Sequence, residues 1–458
     1  MSFQTINPAT EEVVATFPEI SDLELDKKLS TAHACFRNDW SRRSVAQRCR
    51  LIAKAAELAG QDADRHARLM SLEMGKPIQQ ARWELNIFVA ILNYYARNGE
   101  AFLAPEQLPD VDGAVLVKQP LGVILAIEPW NWPYYQVARV IGPQLVAGNV
   151  VVLKHAESVP QCALAIESLL KDAGFPEGAY TNLFVSLQQV DNAIEDDRIS
   201  AVTLTGSERA GSTVGAIAGK SLKKVVLELG GSDPFIVLES ARLDVTAAKA
   251  ARGRLVNAGQ SCVAAKRFIV VGKERADTFI EALAAEMRTY QPGDPMDEKT
   301  NLGPLFSERG LTGVLRQIDI AVSKGARLVV GGQRVSRRGY YLEPTILTDI
   351  TRNNPVFGEE IFGPVACVYA VDSEDEAVEI ANATKFGLGG SVHGADEDHC
   401  RKIAERIESG MVMINSANVT IPETPFGGIK KSGFGRELSK LGIGEFINHK
   451  LIRSFPPA

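Results

Sequence analysis

One cysteine in a run of small residues, Asn257-Ala258-Gly259-Gln260-Ser261-Cys262, is the feature of this chain best suited to nucleophilic chemistry. The glycine and small polar neighbours leave the approach to the thiol open, and a thiolate is a strong protein nucleophile. Taken singly, a cysteine is more often a small buried hydrophobe. An upstream run, Leu227-Glu228-Leu229-Gly230-Gly231, alters that weighing. A carboxylate that closes an apolar strand beside two glycines is suited to act as general base for water. On that segment alone, a surface carboxylate at a turn is an equal reading. The cysteines form no CxxC and the histidines no HExxH, so neither a disulfide scaffold nor a metal site is expected. Gly219-Lys220-Ser221 resembles the end of a P-loop, but Val214 stands where the earlier glycine is required. No G-x-G-x-x-G fingerprint is completed at 387–392 or 433–438.

The elements that must position these groups follow from patterning. Residues 22–37 and 44–60 carry apolar positions at helical spacing, with Ser21 and Ser44 as N-caps, and the first hundred residues read as helices. From Gly113 short β-rich runs (AVLVKQ, GVILAIEP, NVVVLKH, NLFVS, AVTLTGS, VVLELGG) alternate with amphipathic stretches such as 161–173. That alternation predicts a parallel sheet covered on both faces. It restarts after Gly230-Gly231 with PFIVL, RFIVV, ARLVV, VACVYAV and MVMIN, and the tail 446–455 reads as a lone final strand. The class is therefore α/β, with two successive Rossmann-like systems.

Size and composition agree. At ~150 residues per domain, 458 residues suggest about three domains. The 45% hydrophobic and 23% charged composition is that of a globular protein. Fifty basic against 56 acidic residues leave a net charge of −6, which argues against a nucleic-acid partner. The apolar run 121–130 is interrupted by Glu128 and Pro129 and is too short to span a membrane. With no secretory pattern at the N-terminus, a cytoplasmic protein is expected.

Taken in order with EMGKP (73–77), EPWNWP (128–133), TGSERAG (205–211), EEIFGP (359–364) and PFGGIKKSGFGRE (425–437), the LELGG and NAGQSC segments resemble the aldehyde dehydrogenase superfamily over residues 5–455. LKHAES, ELGGSDPF and SCVAAKRF are most similar to its bacterial succinate-semialdehyde dehydrogenase group. The resemblance implies an NAD(P)-binding domain at 1–105 and 122–230, a catalytic domain at 231–430, and an oligomerisation β-flap from 106–121 and 431–458. It implies a homodimer or homotetramer, with no nucleic-acid or membrane partner. Cys262 would attack an aldehyde to give a thiohemiacetal, hydride would leave for the nicotinamide, and Glu228 would activate water against the resulting thioester. Asn131 and the Cys262 N–H would stabilise the oxyanion. A base at Glu228 favours hydrolysis to a free acid over transfer to coenzyme A.

The same resemblance places Trp130, Lys154, Glu157, Gly206, Ser207, Leu229, Glu360 and Phe362 around the dinucleotide. A carboxylate at Glu157 accepts ribose hydroxyls and repels a 2′-phosphate, which favours NAD, with NADP admitted through Lys154. Trp132, Tyr135 and Phe426 would wall the substrate channel. If 131–139 are helical, Arg139 shares a face with Asn131 and offers a guanidinium to the far carboxylate of succinate semialdehyde. A salt bridge of Arg139 within the protein is the alternative, and Glu423 would supply one if it faced the pocket. Other readings are an uncharged aliphatic or aromatic aldehyde as substrate, or a retired enzyme kept as a binding protein.

Overall fold

The computed structural model describes residues 2–417 and 419–457. Its first sheet has six strands in the order 433–434, 224–228, 199–205, 123–128, 150–155, 180–182. All neighbours are parallel except the short edge strand Gly433–Phe434, which pairs antiparallel with Leu227 and Glu228. The earliest of the five parallel strands, Val123–Glu128, lies at the centre. The chain builds outward on one side through Tyr180–Asn182, then returns to the other side at Ile199–Thr205. Ligands of open α/β sheets settle at such a reversal, outside the carboxyl ends of the strands. Asn131, Lys154, Ser207 and Glu228 all stand at or just past those ends.

A second sheet has seven strands in the order 327–330, 345–348, 365–371, 265–271, 233–237, 391–393, 413–414, parallel except for the edge strand Arg327–Val330. The strand leading to Glu228 belongs to the first sheet and Asp233–Val237 to the second, so the chain crosses between them at Gly230-Gly231. Helix Tyr135–Ala147 is buried along its whole length, as a helix apolar nearly all round requires. Its buried apolar side chains share one core with helix Ile78–Leu103 and the first sheet.

Most elements lie near their expected bounds. Helices run Asp22–Asn38 and Val45–Gln61, and Ser21 and Ser44 cap them by accepting from Glu24 and Gln47 N–H. Such a cap contributes about 1 kcal/mol. The all-helical reading of the first hundred residues is corrected by a hairpin, Phe3–Asn7 with Glu12–Phe17. Residues 431–458 also do not act as one flap piece. Gly433–Phe434 extends the first sheet, and only Ile447–Arg453 joins Ala114–Pro120 and Glu106–Gln107 in a small three-stranded sheet. The physical reason is the turn that follows Gly427-Gly428, which folds the chain back along Leu227-Glu228. Among the described residues, no helix is long and apolar enough to cross a membrane, and no cluster suits a metal ion.

Candidate active site

The nucleophile segment is a strained turn. Helix Leu243–Leu255 ends, and Asn257, Ala258 and Gly259 all take left-handed backbone (φ 56°, 52° and 73°). For alanine such a conformation costs of order 1 kcal/mol, so the surroundings must enforce it. Asn257 N–H donates to Gln80 Oε1 (2.7 Å), and its amide donates to the carbonyls of Asn131 (2.9 Å) and Gln260 (3.2 Å). Gln260 donates to Asn257 O (3.1 Å) and accepts from Phe306 N–H (2.9 Å). A side chain at Gly259 would put its Cβ 2.4 Å from Gly363 O. Cys262, which follows, is the one partly exposed cysteine of six; the others are buried. Burial pushes its thiol up to about 12, while Arg139 and Lys266 pull it down.

Asn131 lies in the turn that follows strand Val123–Glu128 and precedes helix Tyr135–Ala147. The helical-face argument linking it to Arg139 therefore fails, because only Arg139 is in the helix. Asn131 Nδ2 donates to Gln260 O at 3.0 Å, and a primary amide has a second N–H to offer. The turn's backbone is gripped by side chains from several elements. Lys76 Nζ donates to Asn131 O (3.0 Å), lies 3.8 Å from the Trp132 ring centre, and pairs with Glu84 in a fully buried ion pair. Glu84 Oε1 accepts from Tyr134 and Tyr135 N–H (2.8 and 3.0 Å), capping the helix. His155 accepts from Ala156 N–H at Nδ1, so Nε2 carries the proton and donates to Pro133 O (3.0 Å). Burial lowers the His155 pKa to about 4, so it stays neutral.

Glu228 is buried, and among the described residues neither carboxyl oxygen has a hydrogen-bond partner. Burial and the nearby Glu437 hold it well above the usual carboxylate range, with Arg139 opposing. The two glycines after it have a concrete purpose. A Cβ at Gly230 would lie 2.4 Å from Glu360 Oε2, and one at Gly231 would lie 2.6 Å from Cys262 O. The Glu228 and Cys262 segments thus meet backbone to backbone, with the Glu360 carboxylate against the first glycine.

Arg139 is 1% exposed at its side chain, and its anionic partner is internal: Nε lies 2.7 Å from Glu437 Oε2. Nη2 donates to Thr205 Oγ1 (3.0 Å), and the guanidinium sits 4.8 Å from the Tyr135 ring and 4.5 Å from the Phe426 ring. Burial works against its charge, but Glu437 and neighbouring acids more than restore it. Nη1 has no hydrogen-bond partner among the described residues. The salt bridge within the protein, the alternative that the sequence left open, exists, and its acid is Glu437. Glu423 is exposed. Trp132, Tyr135 and Phe426 are buried, with Tyr135 and Phe426 meeting edge to face.

The residues at the sheet's carboxyl edge suit a dinucleotide. Ser207 caps helix Glu208–Lys220 by accepting from Ala210 N–H, and the unpaired first-turn amides of a helix are groups of the kind that attract an anion. Lys154, near the end of strand Val150–His155, forms an ion pair with Glu157 just beyond it. Burial opposes ionisation of Glu157, but Lys154 outweighs it and leaves its pKa low. Glu360 accepts from Gly231 N–H (3.2 Å), Leu229 N–H donates to Ser432 O, and Gly206 N–H donates to Glu228 O. Trp130 stacks on Phe306 and meets Phe362 edge-on. Sequence reasoning missed Lys76, Glu84, Asn257, Lys266 and Glu437. All but Glu84 lay inside recognised motifs, but contacts that a linear reading does not show give them their work.

The model of the aldehyde dehydrogenase family matches residues 1–452. The succinate-semialdehyde dehydrogenase (NADP(+)) of Deinococcus radiodurans is 48% identical over 455 residues, covering 99% of this chain and 95% of the relative. The crystal structure of succinic semialdehyde dehydrogenase from Streptococcus pyogenes with NADP+ superposes with a TM-score of 0.97 at 43% identity, covering 99% of each chain. That of an NAD-dependent aldehyde dehydrogenase from Sinorhizobium meliloti has a TM-score of 0.96 at 34% identity, covering 100% of this chain and 92% of that one. A two-sheet fold, a strained cysteine turn beside a buried glutamate, and a match along nearly the whole chain lead to one conclusion: this protein belongs to the aldehyde dehydrogenase family and oxidises an aldehyde with NAD(P).

Proposed function

We propose that the chain oxidises succinate semialdehyde to succinate, with Cys262 as nucleophile, Asn131 as oxyanion donor and Glu228 as base. The observation that carries the substrate is the buried Arg139, whose Nη1 has no hydrogen-bond partner among the described residues, since a guanidinium N–H without a partner is matched by a carboxylate. The names of the relatives, succinate-semialdehyde dehydrogenases at 47–48% identity, agree. Cys262 Sγ forms a bond to the aldehyde carbon, and the second Asn131 N–H with the Cys262 N–H takes the oxyanion. A dinucleotide held by Ser207, Lys154 and Glu157 would supply the acceptor for the hydride that the thiohemiacetal carbon gives up. Glu228 then takes a proton from water, whose oxygen attacks the thioester, releasing the acid and the thiolate. An oxyanion donor of this kind contributes about 3 kcal/mol.

For the dinucleotide, Glu157 supports NAD, because a 2′-phosphate would meet its carboxylate and would have to draw Lys154 away from it. The NADP(+) in the relatives' names supports NADP as the second reading. Steady-state assays with succinate semialdehyde, glutarate semialdehyde and hexanal, run with NAD and NADP in parallel, test both. Arg139→Ala is expected to raise KM for the semialdehydes at least tenfold and leave hexanal little changed. An unchanged semialdehyde KM removes Arg139 from recognition. We further infer a homo-oligomer assembled through the three-stranded sheet, whose outer strand Ile447–Arg453 exposes Leu451 and Ile452.

A further inference from the structure

Lys266, four residues past the nucleophile and second in strand Ala265–Val271, has no part in the mechanism above, yet its ammonium is buried at the centre of the site. Its side chain is 3% exposed. Nζ donates to Ser261 O (2.9 Å) and Cys262 O (2.7 Å), with Ala264 O at 3.4 Å and Glu360 Oε1 at 3.1 Å. A lysine in a strand beside a tight turn ordinarily sends its ammonium to water, because burying the charge is costly unless it is compensated. Here three carbonyls and a carboxylate provide the compensation.

Those bonds have a geometric consequence. The Ser261 carbonyl and the Cys262 N–H belong to one planar trans peptide and point in opposite directions. Pulling Ser261 O toward Nζ therefore turns Cys262 N–H to the other side. Holding Cys262 O fixes the next peptide plane as well, so the Cys262 Cα is clamped from both flanks.

We propose that Lys266 is the positioning residue of the nucleophile loop: it aims the Cys262 N–H at the developing oxyanion and sets a fixed positive charge beside the thiol. Glu360 opposes that charge from its other side. The ionisable groups acting on the thiol are Arg139, whose own charge is shared with Glu437 and Tyr135, then Lys266, Glu360 and Asp233. Lys266 and Arg139 favour the thiolate, while Glu360 and Asp233 disfavour it. The inference rests on Cys262 being the nucleophile.

The test is the rate of alkylation of Cys262 by iodoacetamide in purified enzyme without added dinucleotide, from pH 6.5 to 9.5. The modified peptide is identified by mass, with Cys262→Ala as the blank. Lys266→Met is expected to alkylate about tenfold more slowly at a given pH, equivalent to one unit of thiol pKa. Lys266→Arg should restore most of the rate. Glu360→Gln should alkylate faster than the wild type, and this opposite sign separates a charge effect from mere loosening of the loop. In turnover, Lys266→Met should lower kcat with little change in aldehyde KM. Unchanged or faster alkylation in Lys266→Met overturns the proposal. So does slower alkylation in Glu360→Gln, which reports even if Lys266→Met fails to fold. Alkylation reads the thiol directly, whereas Cys262→Ala with undiminished NAD(P)H formation would overturn the function reading instead.

Discussion

At the scale of single residues, the site is governed by charge that burial has made scarce. Glu128, Glu228 and Glu437 are buried around one guanidinium, Arg139, which cannot balance three carboxylates. Burial and Glu437 therefore hold the Glu228 carboxyl well above the usual carboxylate range, and its proposed work as base on a thioester requires the ionised form. The alkaline-rising limb of kcat should report that ionisation. Glu437→Gln removes a negative neighbour and frees Arg139 to act on Glu228, and both changes lower the Glu228 pKa. The rising limb is thus expected to move to lower pH, by about one unit, with tenfold more of the ionised form at a fixed acidic pH. A kcat–pH series on the two proteins checks this, and a shift to higher pH would contradict it. Arg139 also shows how a residue type was read well and its partner was not. An anionic partner was foreseeable from the type, but Glu437 reaches it from the far end of the chain.

At the scale of elements, catalytic precision comes from how turns are held. The turn carrying Asn131 has little hydrogen bonding of its own and borrows it from Lys76, Glu84, His155 and Asn257. Glu84 faces inward from helix Ile78–Leu103 and caps the next helix in space, so the pair with Lys76 ties two helices to the oxyanion turn. Lys76→Met would strand a buried carboxylate. Loss of about 3–5 kcal/mol of stability is expected, read as a lower denaturant midpoint. In protein that remains folded, kcat should fall more than KM rises, since the oxyanion donor matters most in the transition state. Equal loss in kcat/KM carried entirely by KM would assign the pair to substrate binding instead. Sequence gave the helix bounds well here, because capping serines and apolar spacing are local signals. It missed the hairpin Phe3–Asn7 with Glu12–Phe17, whose outer strand is mostly exposed and carries no buried face to imprint a pattern.

At the scale of the whole molecule, two parallel sheets meet at Gly230-Gly231 and a small third sheet stands apart from them. The outer strand of that third sheet leaves one edge unpaired, with Leu451 and Ile452 about half exposed. An edge of this kind invites a second copy. On the homo-oligomer proposed above, replacing both residues with Asp is expected to leave monomers in sedimentation while the melting transition of the two larger sheets stays in place. An unchanged sedimentation coefficient would place the interface elsewhere. The sequence by itself determined the α/β class, the restart of the pattern after Gly230, and the segments holding Cys262, Glu228 and Asn131. Residue type, strand periodicity and short motifs are local, so they survive being read along a line. Only the tertiary structure decided that Arg139 is paired with Glu437, that Lys76 and His155 hold the turn carrying Asn131, and that Lys266 turns its charge inward to the Cys262 carbonyl. Those pairings depend on which strands and turns are brought together across the sheet reversal, and a buried charge takes its partner from whatever the fold places within a few ångströms.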